Sequence, residues 1–136
     1  MNIKSTIISY LLTLIVFLIV DLFWLGVIAK NLYKKYLGGF LTDKVNWTAA
    51  LIFYLIYVVG ISIFAIYPAV NKGSAFNAIL MGALFGIFTY ATYDLTNLAT
   101  LKGWPLSIVF IDIFWGAVLS AIVSFSGFHI IKWLNY

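Results

Sequence analysis

The sequence has no cysteine, no arginine and no glutamate, and only 9% of its 136 residues are charged. Without cysteine, disulfides and thiol chemistry are excluded, and the redox compartment cannot be inferred. The eight basic residues are all lysine and give a net charge of +4, which suits the headgroups of an anionic membrane. No basic run is interleaved with exposed polar sequence, so no nucleic-acid partner is expected.

Apolar residues are abundant instead: 65% of the chain is hydrophobic and 19% is aromatic. A soluble domain this apolar could not cover its surface with polar groups, so lipid must surround most of it. A length of 136 residues allows one domain, residues 1–136, and no second core. The composition therefore predicts a single integral membrane domain whose expected partners are membrane lipids.

Four apolar stretches are each long enough to cross about 30 Å of hydrocarbon at about 1.5 Å per residue. The predicted spans are residues 6–29, 47–67, 75–101 and 106–131. Pro68 marks the predicted end of the second span, and Gly103-Trp104-Pro105 forms a tight turn into the fourth. The predicted fold class is all-α, a polytopic membrane protein built as a four-transmembrane-helix bundle.

Residues 30–46, between the first two spans, differ from the other connections. Four lysines are interspersed there with aromatic and aliphatic side chains. This pattern predicts a short interfacial helix, with lysines toward phosphate groups and aromatic rings toward acyl chains; a solvated basic loop is the alternative. Trp47, Trp104 and Trp133 lie at predicted span ends, where we expect them to act as interfacial anchors.

Three of the four acidic residues, Asp21, Asp94 and Asp112, lie within predicted spans. An ionised aspartate at the centre of a membrane helix costs about 2.5–3.5 kcal/mol, so these groups need partners, protonation or a cation. At about 1.5 Å per residue, all three lie in one layer roughly 12–14 Å beneath the face that holds residues 30–46. The sequence therefore predicts one shared polar site; separate hydrogen bonds between helices are the alternative.

Helical periodicity places further candidate residues beside these acids. Four residues of the third span share one helical face: Tyr90, Tyr93, Asp94 and Asn97. Lys102 follows at the predicted mouth of the site, where it is a candidate partner of Asp94 or of an anionic headgroup. Extension of the Lys102 side chain to the interface is the alternative.

Two local repeats place an indole one turn beyond an acid: Asp21-Leu22-Phe23-Trp24 and Asp112-Ile113-Phe114-Trp115. The N–H of Trp24 or Trp115 can donate a hydrogen bond to a carboxylate on a neighbouring helix, or the ring can separate the site from lipid. Simple packing of the two rings is the alternative.

A cluster of carboxyl groups with tyrosine and amide oxygens has several chemical uses. It can carry a proton, hold a cation, or act as acid and base on a lipid-borne substrate. Because the set offers only oxygen ligands, it argues against zinc or copper and in favour of a proton, sodium, magnesium or calcium. The sequence requires no cofactor, and it assigns neither a metal nor a catalytic residue.

Three motifs of the chain occur together: residues 93–105 (YDLTNLATLKGWP), Asp112-x-x-Trp115-Gly116 and Asp21-x-x-Trp24-Leu25-Gly26. In this combination the chain resembles the domain-of-unknown-function 2177 family of predicted bacterial membrane proteins, over nearly its whole length. The resemblance implies a multi-pass, four-helix protein of the bacterial inner (cytoplasmic) membrane. It implies no particular activity.

Three functions are compatible with these features. The first is a membrane enzyme or lipid-binding protein whose substrate enters sideways from the bilayer beneath residues 30–46. The second is a small proton- or cation-coupled transporter, since four helices with an acid in the first are similar to the small multidrug resistance transporters. Those transporters work as dimers, so a homodimer is left open. The third is a structural or accessory subunit whose aspartates bond only to each other or to a partner helix.

The surroundings of the acids discriminate these hypotheses. A pocket that opens to the bilayer with the acids at its end would favour a lipid-borne substrate. An aqueous path to both faces would favour transport. Tight packing around the acids would favour a structural role.

Overall fold

The computed structural model describes residues 1–135, and the regular secondary structure in this part of the chain is entirely helical. Four helical rods, which we call spans 1 to 4, are long and apolar enough to cross a membrane: Ile3–Ile28, Trp47–Lys72, Ala75–Thr100 and Leu106–Leu134. The all-α, four-span architecture predicted from the sequence is therefore confirmed.

Spans 1 and 2 each contain a π-helical turn, whereas spans 3 and 4 are continuous α-helices. In chain order the elements are α1 (Ile3–Phe23), the first π-helical turn (Trp24–Ile28), α2 (Lys30–Leu37), α3 (Trp47–Ile61), the second π-helical turn (Ser62–Ile66), α4 (Tyr67–Lys72), α5 (Ala75–Thr100) and α6 (Leu106–Leu134). The short helix predicted between the first two spans is α2.

Polar residues begin three of the four spans. The side chains of Asn2, Asn46 and Ser74 each accept a hydrogen bond of 2.8–3.1 Å from the backbone N–H three residues ahead. Each bond satisfies one of the N–H groups that the start of a helix leaves without a partner. These residues therefore determine where the apolar helices begin.

The prediction that Pro68 ends the second span is wrong, because the helix continues to Lys72. A proline ring inside a helix clashes with the carbonyl group four residues earlier. The π-helical turn Ser62–Ile66 lies just before Pro68 and widens the helix where this clash would occur. The helix ends instead at Gly73, whose φ of 64° lies in the left-handed region that favours glycine.

Span 4 occupies the centre of the bundle. Of its most apolar stretch, 44% is buried, compared with 17% in spans 1 and 3. Its most extensive contact is with α5, where Gly82 and Gly86 face the backbone of Ser120 and Gly116. Because these positions are small, the two helix backbones approach closely.

Spans 2 and 3 touch near one end and diverge toward the other. α5 packs against the π-helical turn Ser62–Ile66 and against α4, whereas α3 packs against α1. The divergence leaves a gap between α3 and α5 on the side of the bundle that carries α2. Large apolar side chains such as Ile56 are exposed in this region, as expected for a surface in contact with lipid.

A methyl group at Gly86 is expected to force α5 and α6 apart. Its Cβ would lie 2.8 Å from the Oγ of Ser120 and closer still to the Gly116 carbonyl group. We expect Gly86→Ala to lower the free energy of unfolding by about 1–3 kcal/mol, the usual cost of overpacking. The measurement is thermal unfolding of the purified protein in detergent micelles, followed by tryptophan fluorescence.

Gly26→Ala is the matched control, because a Cβ at Gly26 meets no atom within 4 Å. This variant also replaces a helical glycine within a span, and its effect should stay below about 1 kcal/mol. Equal destabilisation by the two substitutions would contradict a close approach of α5 and α6 at Gly86.

Candidate functional site

The three intramembrane carboxyl groups all lie inside the bundle. Asp94 is fully buried, and Asp21 and Asp112 are each 6% exposed. A carboxylate in contact with hydrocarbon is costly, so the fold depends on hydrogen-bond donors that reach these groups. The donors found within residues 1–135 are neutral side chains from other elements: Tyr33, Tyr54, Trp104 and Trp115.

Asp94 and Asp112 meet between α5 and α6, where their carboxyl groups lie within hydrogen-bonding reach of each other. A hydrogen bond between two carboxyl groups requires a proton on one of them, since a carboxylate only accepts. The Trp104 indole donates to Oδ1 of Asp94 at 3.3 Å. Oδ2 of Asp94 is buried without an N–H or O–H donor in the described part of the chain.

The helix α2 contributes a phenol to this pair. The Tyr33 hydroxyl donates to Oδ1 of Asp112 at 2.5 Å and accepts from the Trp24 indole at 3.2 Å. Burial, followed by the adjacent Asp112 carboxyl group, raises the pKa of Tyr33 above its ordinary value of about 10, because both disfavour the phenolate. Tyr33 therefore remains a hydrogen-bond donor at neutral pH and attaches α2 to span 4.

Asp21 lies on the other side of two stacked indoles. The Trp115 indole donates to Oδ1 of Asp21 at 3.4 Å, and the Tyr54 hydroxyl of α3 is within reach of the same carboxyl group. The rings of Trp24 and Trp115 stack with their centroids 4.3 Å apart and their planes 8° from parallel. This stack connects Asp21 to the group formed by Tyr33 and Asp112.

The two Asp-x-x-Trp repeats thus exchange hydrogen bonds. Trp115 of the second repeat donates to Asp21 of the first. Trp24 of the first repeat donates to Tyr33, which donates to Asp112 of the second. Spans 1 and 4 run antiparallel, and three residues correspond to about 4.5 Å along a helix axis. Each indole therefore lies at the level of the acid on the other span.

A cavity of about 950 Å³ opens beside these groups, in the gap between α3 and α5 and beneath α2. Most of its wall is aliphatic or aromatic, and includes Leu25, Leu37, Phe53, Ile56, Phe64 and Phe85. Its inner end carries the polar groups of Asp21, Asp112, Tyr54, Tyr57 and Tyr90. Through Asp21 and Asp112, the buried acids border this open space.

The structure divides the candidate residues predicted from the sequence into two groups. Six of them line the cavity: Asp21, Trp24, Tyr90, Tyr93, Asp112 and Trp115. Asp94 is buried against Asp112 and does not line the cavity. Asn97 is half-buried within reach of Tyr93, also away from the cavity. Asp94 and Asn97 therefore contact residues of the site, Asp112 and Tyr93, on the side away from the cavity.

The lysines nearest the cavity come from α2. Lys30 and Lys34 line its rim, one helical turn apart. Lys102, the candidate for the mouth of the site, is exposed just after α5 and does not line the cavity.

Three partners of the acids are not evident from the sequence: Tyr33, Tyr54 and Trp104. The expectation of an interfacial anchor is wrong for Trp104, which is 8% exposed and donates to Asp94. Trp47 and Trp133 are exposed at span ends, as anchors are. The sequence contains one signal for the position of Trp104, the glycine that precedes it. In the structure Gly103 has a φ of 75° and turns the chain back toward α5.

Aromatic side chains of the segment 30–46 were expected to face acyl chains. Tyr33 instead points into the bundle, and Tyr36 packs with Leu37 in a cluster around Trp104. This inward packing removes apolar rings from the interface and closes the bundle above Asp94. α2 is therefore part of the site's wall.

No group of three histidine, cysteine, aspartate or glutamate side chains in residues 1–135 is arranged to hold a metal ion. The stacked indoles separate Asp21 from the other two acids. The three carboxyl groups consequently form two connected centres and not one ligand set.

A family model described as Predicted membrane protein (DUF2177) matches residues 6–129, from span 1 into the last turns of span 4. No curated protein and no solved structure matches the chain. The matched region contains both Asp-x-x-Trp repeats and every residue that lines the cavity.

Removing the Tyr33 hydroxyl is expected to destabilise the fold. The substitution Tyr33→Phe leaves Oδ1 of Asp112 without its donor and the Trp24 N–H without its acceptor. We expect the free energy of unfolding to fall by about 1–3 kcal/mol, the cost of leaving buried polar groups unpaired. Unfolding by SDS titration in micelles, followed by tryptophan fluorescence, measures this loss.

Tyr36→Phe, on the same helix, is the control. The ring of Tyr36 packs in the cluster around Trp104, so removal of its hydroxyl leaves that packing in place. We expect a change within about 0.5 kcal/mol, as for most surface substitutions. If Tyr33→Phe behaves like Tyr36→Phe, the bond from Tyr33 to Asp112 does not hold α2 on the bundle.

Proposed function

We propose that this chain, which belongs to the DUF2177 family of predicted membrane proteins, binds an amphipathic, lipid-borne molecule that enters its cavity sideways from the bilayer. The observation that carries the proposal is the cavity itself, whose apolar wall continues onto the outer surface of the bundle. The acids at its inner end offer a place for the polar group of the ligand.

Several side chains belong both to the wall of the cavity and to the outer surface. Ile56 and Phe64 of span 2 line the cavity and are 65% and 62% exposed. Leu25 of span 1 also lines it and is exposed. Because these residues lie within spans, their exposed surface faces hydrocarbon. A molecule dissolved in the bilayer can therefore reach the cavity without crossing a polar surface.

On the far side of Asp21 and Trp115, the core of the bundle is filled by packed apolar side chains and by small hydroxyl residues such as Ser120 and Ser124. Most of the cavity-lining residues lie in the half of each span nearer to α2, and Gly60, Phe64 and Phe85 extend the lining just past the middle of spans 2 and 3. Beyond Asp21 and Trp115, the side chains of Phe17, Leu119 and Val123 are fully buried. A transporter would need an aqueous path through this core, so the arrangement favours a binding pocket with one lateral opening over transport.

The polarity of the cavity supports an amphipathic ligand. Hydrocarbon buried against the wall contributes roughly 25 cal/mol per Å² of surface removed from water, although transfer from lipid contributes less. Specificity must then come from the few polar groups at the inner end, which is the usual arrangement of a small-molecule site. One chain forms the whole cavity, so the proposal requires no second copy.

We also propose a bacterial inner membrane as the location of the protein. Its spans are α-helical, whereas the proteins that cross bacterial outer membranes are typically β-barrels. A sequence rich in Lys, Asn, Ile and Phe with no Arg is what an AT-rich bacterial genome would encode.

Narrowing the lateral opening is expected to prevent binding. Ile56→Trp puts a larger side chain on the cavity wall at a position that already faces lipid, so the fold should be unaffected. The protein is released from phosphatidylglycerol–phosphatidylethanolamine bilayers and analysed by native mass spectrometry. We expect the wild type to retain a lipid molecule and Ile56→Trp to retain at least about tenfold less, a loss of about 1.4 kcal/mol.

The matched control is Ile52→Trp, one turn earlier on α3. Ile52 is also exposed to lipid but does not line the cavity. Lipid retention should match that of the wild type. Retention that is unchanged in both variants, or lost in both, would show that the cavity is not the binding site.

A further inference from the structure

We infer that the ligand of this cavity carries a positive charge, as an alkylammonium amphiphile whose head lies at the inner end of the cavity, beside Asp21 and Asp112. The inference rests on the proposed function, because it names the ligand class of the same cavity. It follows from the carboxyl groups at the inner end, from the aromatic side chains around them and from the lack of an ion pair with the nearest lysines.

Within residues 1–135, the carboxyl groups of Asp21 and Asp112 line the cavity and form no salt bridge with a cationic side chain. Both residues are more than nine-tenths buried, and both line the cavity. The Trp115 indole and the Tyr33 phenol that bond to them are neutral, and each donates to Oδ1. The other groups within reach, the Tyr54 hydroxyl at Asp21 and the Asp94 carboxyl group at Asp112, carry no positive charge either. A buried carboxylate held only by neutral donors still needs a counter-charge, which a cationic head supplies.

Aromatic side chains line the same space. Tyr54, Tyr57 and Tyr90 lie near Asp21, and all three line the cavity. The stacked Trp24 and Trp115 complete this wall. A cation within about 6 Å of an aromatic face is attracted by the ring, more strongly where water is excluded. Carboxylates and aromatic faces therefore both favour an ammonium head, and both disfavour an anionic one.

The lysines of the rim form no ion pair with these acids: within residues 1–135, neither Lys30 nor Lys34 makes a salt bridge with Asp21 or Asp112. The attraction between two charges that are not in contact is weak compared with that of a contact pair. Lys30 and Lys34 are instead placed to contact the phosphate groups of the bilayer. The deep end of the cavity thus selects a cation, with the alkyl chain of the ligand toward Ile56 and Phe64.

The test uses three amphiphiles with the same brominated alkyl chain and a trimethylammonium, hydroxyl or sulfate head. Bromine quenches indole fluorescence on contact, so binding quenches Trp24 and Trp115 on the cavity wall. The protein is reconstituted in nanodiscs and carries Trp47→Phe and Trp133→Phe, which remove the two exposed indoles at span ends. We expect the trimethylammonium compound to quench at a concentration at least about tenfold lower than the hydroxyl compound.

Asp21→Asn and Asp112→Asn test which groups produce this preference. Asparagine keeps an oxygen that accepts from Trp115 or Tyr33, so the substitution removes charge and preserves the hydrogen bonds. The preference for trimethylammonium over hydroxyl should fall to within about threefold in either variant. Asp43→Asn is the matched control, because Asp43 is exposed in the segment 38–46 and does not line the cavity. It should retain the full preference.

The outcomes separate this inference from the proposed function. Equal quenching by the trimethylammonium and hydroxyl compounds, or stronger quenching by the sulfate, overturns the cationic ligand and leaves the cavity as a binding site. The absence of quenching by all three compounds overturns the proposed function itself. The comparison of the three head groups is made with Asp21 and Asp112 in place. It therefore tests the inference even where an aspartate variant does not fold.

Discussion

The architecture depends on one requirement. Each carboxyl group inside the membrane must accept a hydrogen bond from another part of the protein, because the surrounding lipid would leave it unpaired. Span 1 carries Asp21 and span 4 carries Asp112, and neither repeat supplies the donor for its own acid. The indole of each repeat reaches toward the acid of the other, directly from Trp115 and through Tyr33 from Trp24. Since an unpaired carboxylate in hydrocarbon costs several kcal/mol, this exchange defines the relative height of the two antiparallel spans.

Two other features of the bundle follow from this constraint. Helix α2 must fold back over the bundle, because its Tyr33 is the intermediate in the exchange. Span 4 must be central, since it contacts span 1 through the stacked indoles and α5 through a glycine face. Span 2 has no acid and takes part only through Tyr54 and Tyr57. It is therefore free to diverge from α5, and the divergence creates the cavity.

Much of this structure could be predicted from the sequence, because apolar length and helical period are local properties. The four spans follow from runs of apolar residues. The inward direction of Asp94 follows from the small and polar residues on its helical face. The importance of Trp24 and Trp115 follows from their position one turn beyond an acid.

The remaining contacts depend on geometry that periodicity does not encode. Tyr33 reaches Asp112 only because α2 folds inward, and Trp104 reaches Asp94 only because the turn at Gly103 returns the chain. The π-helical turn Ser62–Ile66 allows span 2 to continue past Pro68, although proline usually ends or kinks a helix. The separation of the acids into two centres likewise depends on how two indoles stack, which requires the packed bundle.

The exchange of hydrogen bonds also has a consequence for biosynthesis. Trp115 follows Asp21 by 94 residues. At roughly 5–20 residues per second, a ribosome needs about 5–20 s to make that length of chain. Throughout this interval span 1 is in or near the membrane without the Trp115 indole, and Tyr54 of span 2 is the earlier of the two donors to reach Asp21. Until these donors arrive, Asp21 must stay hydrated at the insertion machinery or take up a proton, and its set of hydrogen bonds is complete only when the last span is made.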